Sequence, residues 1–122
     1  MAQYRNAAQL YQKNSVQTAS PSKIILMLYD GAIKFCHMAQ VAIDEKNIEK
    51  ANLNIQKAQK IIVQLRVSLD TKYLVSQEFD YIYRRLVEAN MKKDNEILEE
   101  ALKHIKTMRE TWIEVMKKTH SM

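Results

Sequence analysis

Glycine, proline and cysteine each occur once in this chain of 122 residues. Glycine and proline this far below their ordinary usage, roughly 7% and 5%, argue against a sheet with tight turns and against disorder. A single glycine also rules out a glycine-rich phosphate loop. A single cysteine rules out a disulfide framework and suits a reducing compartment. No apolar run approaches the ~18 residues of a membrane span. The start, Met1-Ala2-Gln3-Tyr4-Arg5-Asn6, lacks the apolar centre of a signal peptide, so a cytoplasmic protein without membrane insertion is expected. Long blocks of one charge are missing too. Nineteen basic and 14 acidic residues leave +5, but Asp44-Glu45-Lys46, Glu49-Lys50 and Lys92-Lys93-Asp94 mix the signs. That reads as solvated helix faces rather than a nucleic-acid footprint.

What remains is helix. With 47% apolar and 27% charged residues, the expectation is one soluble all-α domain over residues 1–122, an arm of residues 1–20 followed by a bundle of residues 21–120. Ser20 before Pro21 marks the boundary: serine can accept from an N–H of the first turn, and proline has no donor to lose there. Ile25, Leu28, Ala32, Phe35, Ala39 and Ala42 then recur at three- and four-residue steps to about Asp44. A second helix follows with Ile48, Ala51, Ile55, Ala58, Ile62, Leu65 and Leu69 as a bundle seam. The pattern is lost around Asp70-Thr71-Lys72-Tyr73. Ser76 begins a shorter third helix with Phe79, Ile82, Leu86 and Ala89 inward. Asp94 reads as the cap of a fourth, where Leu98, Ala101, Ile105, Met108, Trp112 and Val115 repeat the alternation. Four amphipathic helices joined by short polar turns predict an antiparallel four-helix bundle, with an extra N-terminal segment or short helix capping it. Gly31 lies inside the first helix and predicts close backbone approach of a neighbour.

Chemistry is hard to find. Glu100 and His104 share a helix face, but their spacing is one residue too long for the Glu-x-x-His pairs of di-metal bundles, and no second pair exists. Cys36 and His37 point about 100° apart on a helix and cannot act on each other. His120 lies at the end of the chain. No catalytic, metal or cofactor site is expected, and no enzyme. Arg84-Arg85 near Tyr81 and Tyr83 reads as holding carboxylates across the bundle; aromatic platforms for bases sit in open cationic grooves.

The function therefore falls to surfaces. Leu53, Ile61, Val63 and Val67 in the second helix lie off the seam, as do Ile97, Leu102, Ile113 and Met116 in the fourth. Part of this widens the core stripe. The rest predicts exposed grooves suited to a partner helix. The arm, with Tyr4, Ala7, Ala8, Leu10, Tyr11 and Val16, is too apolar for an inert tail. It is expected to fold back over part of a groove until a partner displaces it.

Asn14-Ser15-Val16-Gln17-Thr18-Ala19-Ser20-Pro21, followed by Met27-Leu28-Tyr29-Asp30-Gly31-Ala32-Ile33-Lys34-Phe35, closely resembles the opening signature of FliS, the flagellin-specific export chaperone of bacterial flagella. Tyr81-Ile82-Tyr83-Arg84-Arg85-Leu86-Val87-Glu88-Ala89-Asn90 is similar to that family's third helix. Asn52 with Lys57-Ala58-Gln59-Lys60-Ile61-Ile62 is similar to its second, and Arg109-Glu110-Thr111-Trp112 to its last. The resemblance runs through nearly the whole chain in order. It implies a helical bundle that binds the disordered C-terminal segment of flagellin in the cytoplasm, prevents premature polymerisation and presents the subunit to the export gate. It also implies an N-terminal segment that occupies part of the binding surface in the free protein. One departure is the stretch from Leu69 to Tyr81, shorter than the family's usual connection and without glycine, which predicts a tighter loop or a later third helix. The expected flagellin contacts are Tyr11, Val16 and Ala19 near the arm junction, Leu28 and Tyr29 on the first helix, and Ile55 and Ile62 on the second. Ile55 and Ile62 lie on the regular seam and read equally well as core. The competing readings are a helical adaptor that binds another amphipathic helix, or forms a homodimer through the same grooves, and a nucleic-acid-binding bundle.

Overall fold

A computed structural model of the chain describes residues 20–119. They form four helices: α1 (Pro21–Asp44), α2 (Ile48–Tyr73), α3 (Ser76–Lys92) and α4 (Asn95–Thr119). Turns of two or three residues join them, so successive helices run antiparallel. Each packs against the next and α4 closes back on α1. The result is the expected all-α four-helix bundle.

The ends of the helices follow local chemistry. The backbone N–H of Lys23 donates to Ser20 Oγ at 3.3 Å, and Pro21 occupies the first turn. Asn47 caps α2 by accepting from the Lys50 N–H at 3.1 Å. Asp94 caps α4, where its Oδ1 accepts from the Glu96 N–H at 2.8 Å. α3 starts after Val75 with no side-chain cap. The Asp70–Tyr73 stretch does not break α2, which continues to Tyr73 and turns through Leu74 and Val75 alone. The short connection is thus the tight-loop alternative, with Leu74 in the left-handed region at φ 54° where glycine would cost least.

The core follows the predicted stripes with a few shifts. Ile55, Ile62, Leu65, Phe79, Ile82, Leu86, Leu98 and Ile105 are fully enclosed, each contributing about 1.5–3 kcal/mol by burial. Ala32, Ala39, Ala42, Ala51 and Ala58 are also fully buried, and these small side chains let α1 and α2 approach closely. In α1 the buried row is Ile25, Tyr29, Ala32, Cys36, Ala39 and Ala42, while Leu28 and Phe35 pack at its edge. Ile48, first on the α2 seam, is exposed at the open end of its helix. Leu102 and Met116, expected off the seam, are core residues, because α4 touches both α1 and α3 and needs a wider stripe. A Cβ at Gly31 would lie 3.2 Å from Ile61 Cδ1, so the neighbour that approaches is a side chain rather than backbone. By length and composition α1 meets the minimum for crossing a membrane; here it forms one wall of the bundle.

Candidate binding site

α3 is the shortest helix, 17 residues against 24 to 26 in the others. Its far end is tied to α2, with Asn90 Nδ2 donating to Asn52 Oδ1 at 2.8 Å. Its start is tied to α2 by the Ser76 hydroxyl, which donates to Asp70 Oδ1. Beside α4 the first turns of α3 share a cavity with His104, Thr107 and Met108. Beyond Met108, α4 runs on for roughly 16 Å at 1.5 Å per residue. The bundle therefore ends as three helices.

Between those three ends lies a cavity of about 600 Å³. Pro21, Ile24 and Ile25 of α1, Leu69 and Tyr73 of α2, and Trp112 and Met116 of α4 supply its apolar wall, with Ser22, Ser68, Lys72 and Thr119 adding polar groups. Trp112 Nε1 donates to the carbonyl of Ser22 at 2.9 Å, a buried hydrogen bond that fixes the indole against the start of α1. Tyr73 meets the Trp112 ring edge-on, 5.6 Å between centroids at 85°, an arrangement that aromatic quadrupoles favour. Lys72 Nζ lies 5.4 Å from the Tyr73 ring centre. Ser20, where the described chain begins, stands next to this wall.

Polar cross-links hold the rest rigid. Arg109 Nε donates to Asp30 Oδ1 at 2.6 Å and joins α4 to α1. Asn95 Nδ2 donates to Asp44 Oδ1 at 2.8 Å across the same seam. Arg85 reaches Glu100 through Nη2 at 2.6 Å and Glu88 through Nη1 at 2.6 Å, the carboxylate-holding role expected of it. The Tyr81 hydroxyl donates to Glu100 Oε1, and its ring packs edge-on against His104 at 4.9 Å. Hydrogen bonds from Tyr81 and Arg85 hold the Glu100 carboxyl below its ordinary value. Burial pushes the Cys36 thiol up to about 12, with the Glu99 charge adding to it, so this thiol stays protonated and unreactive. Among the described residues no group of three or more His, Cys, Asp or Glu is placed to hold a metal ion.

The expected contact residues divide three ways. Leu28 is half-buried at the edge of the core. Tyr29, Ile55 and Ile62 are core residues, 2%, 0% and 1% exposed. Tyr29 stacks on Phe79 at 6.4 Å, and burial raises its hydroxyl to about 12. In this conformation these three support the surface from beneath and offer none of their own. Tyr11, Val16 and Ala19 lie outside the described residues. The cavity wall adds Ile24 and Trp112, which the sequence marked only as helix or core, Tyr73, which it read as the break after the second helix, and Met116, which it placed off the seam. The available signal was the shortness of the third helix, which leaves the other helices overhanging.

The model of the flagellar protein FliS family matches residues 3–119 of the chain. The flagellar secretion chaperone FliS of Bacillus subtilis is 40% identical over 112 residues, 88% of this chain and 84% of that protein. The protein of the same description from Vibrio cholerae is 29% identical over 128 aligned positions, 97% of this chain and 94% of its own length. That from Escherichia coli is 30% identical over 115, covering 88% and 84%. The family model spans nearly the whole of this helical bundle, and with the Bacillus subtilis relative it places the chain: it belongs to the FliS family of flagellar secretion chaperones.

Proposed function

We propose that this protein is a cytoplasmic chaperone that binds the disordered C-terminal region of flagellin, keeps it from polymerising early and delivers it to the flagellar export gate. The observation that carries this reading is the apolar cavity beside Ser20, in a member of the FliS family. A disordered segment loses conformational entropy on binding and needs a large apolar surface in return. The cavity offers a preformed anchor with two aromatic walls, and the half-buried flank of α1 at Ile24 and Leu28 extends it. Tyr11, Val16 and Ala19, in the segment that precedes Ser20 in the sequence, are proposed as further contacts for flagellin, for which the arm would compete. Tyr29, Ile55 and Ile62 act as the floor.

Calorimetry of the full chain with a flagellin C-terminal peptide tests this. The expected result is binding at micromolar concentration or tighter, with a large negative heat-capacity change and helix formation in the peptide. Ile24→Asp, a substitution at a half-buried wall position, should weaken binding by about tenfold or more while the helical circular dichroism persists. Removal of residues 1–16 should change the affinity. Raising salt from about 50 to 200 mM should leave it nearly unaltered, whereas a nucleic-acid binder would lose orders of magnitude. Absence of binding to a cognate flagellin overturns the reading.

A further inference from the structure

The outer face of α2 carries a second apolar stripe that the bundle leaves uncovered. Val63 and Val67 are 47% and 74% exposed, and Leu53 is 51%. With Gln56 and Lys60 these positions advance in steps of three and four, the spacing of the core seam on the opposite side of the same helix. Leu74, seven residues past Val67, is 83% exposed in a left-handed backbone conformation that is unfavourable for leucine and neutral for glycine. Neither burial nor backbone preference accounts for a leucine there. Beside the stripe, Gln56, Gln59, Lys60, Val63 and Tyr83 line a cavity of about 350 Å³ between α2 and α3. None of these residues lines the cavity at the end of the bundle.

Charge selects the partner. From Lys50 to Leu69 the helix holds four cations, Lys50, Lys57, Lys60 and Arg66, and no carboxylate. Arg66 is matched by Asp80 of α3 at 2.9 Å, and Lys57 lies over the Phe35 ring at 5.3 Å. Lys60 stands exposed within the stripe. A second copy of this chain docked through the same face would bring like charges together. Residues 1–19 contain Arg5 and Lys13 and no carboxylate, so the arm does not complement the face either. We propose that the outer face of α2, with Tyr83 of α3, docks an acidic amphipathic helix of a partner protein. Its apolar stripe would lie on Leu53, Val63, Val67 and Leu74, and its carboxylates would meet Lys60. This site does not depend on the flagellin reading.

The test uses the full chain, isotope-labelled for NMR, and two synthetic helices of about 18 residues, long enough to hold helical structure. Both carry the same leucine stripe; glutamates flank it in one and lysines in the other. The glutamate peptide is expected to shift amide signals from Leu53 to Leu74 and around Tyr83, and the lysine peptide to shift none of them. Lys60→Glu and Val67→Glu should each weaken binding by about tenfold or more with the melting temperature unchanged. Leu74→Gly should weaken it without lowering the melting temperature. Equal binding of the two peptides, shifts confined to Pro21–Ile25 and Trp112, or affinity insensitive to both charge substitutions would overturn the proposal. A dimer in sedimentation that Val67→Glu dissociates would overturn it as well, by giving the face to a second copy.

Discussion

At the scale of single residues, two side-chain environments set measurable energies. Gly31 in mid-helix costs about 1 kcal/mol relative to alanine. The atom nearest an added methyl is Ile61 Cδ1 at 3.2 Å, the free end of a half-buried side chain that can rotate by the few tenths of an ångström required. Gly31→Ala is therefore expected to stabilise the protein by about 0.5–1 kcal/mol in urea unfolding; a net loss would mean that Ile61 is held in place. Trp112→Phe keeps an aromatic ring in the wall but removes the donor to the Ser22 carbonyl, 2.9 Å away. The expected cost is about 1–2 kcal/mol, measured by the same method. The sequence marked Gly31 as a packing position and Trp112 as core. It did not show that the indole nitrogen pins the start of α1, because that bond spans 90 residues.

At the scale of elements, the caps were legible and the end of α2 was not. Ser20-Pro21 and Asp94 act within three residues of themselves, so their chemistry is written locally. Asp70–Tyr73 lost the apolar spacing and read as loop, yet stays helical: Asp70 accepts from Ser76 just past the turn, and the Tyr73 ring packs on the distant Trp112. Tertiary contacts there override the local pattern. The turn that follows places Leu74 at φ 54°. Leu74→Gly is expected to raise stability by about 1 kcal/mol, since the left-handed conformation penalises a side chain with Cβ. Thermal melting checks this, and a fall in melting temperature would show that Leu74 contributes packing its exposure does not suggest.

At the scale of the whole molecule, the four-helix plan followed from periodicity, while the cavity did not. It arises from helices of unequal length meeting at one end, and no stripe encodes such a mismatch. The surface network between α3 and α4 gives the molecule a pH dependence with a definite sign. Hydrogen bonds from Tyr81 and Arg85 hold Glu100 below its ordinary value of 4.5, and one from Lys92 does the same for Glu88. A carboxyl whose folded value is depressed stabilises the fold above its unfolded value, and that contribution fades as pH falls through the folded one. Melting temperature should accordingly decline below about pH 4.5, and Glu100→Gln should flatten that decline. An unchanged acid limb in the variant would remove Glu100 from the account.

Pro21 and Thr119 line the same cavity, so both ends of the described chain arrive at one place. On the proposed reading, in which this cavity anchors flagellin, a flagellin tail joined genetically after the last residue through a short flexible linker would meet that anchor within the same molecule, at an effective concentration near the millimolar range. Even a weak bound state would then be filled in a single-chain fusion, independent of dilution, which makes the occupied form accessible as one polypeptide.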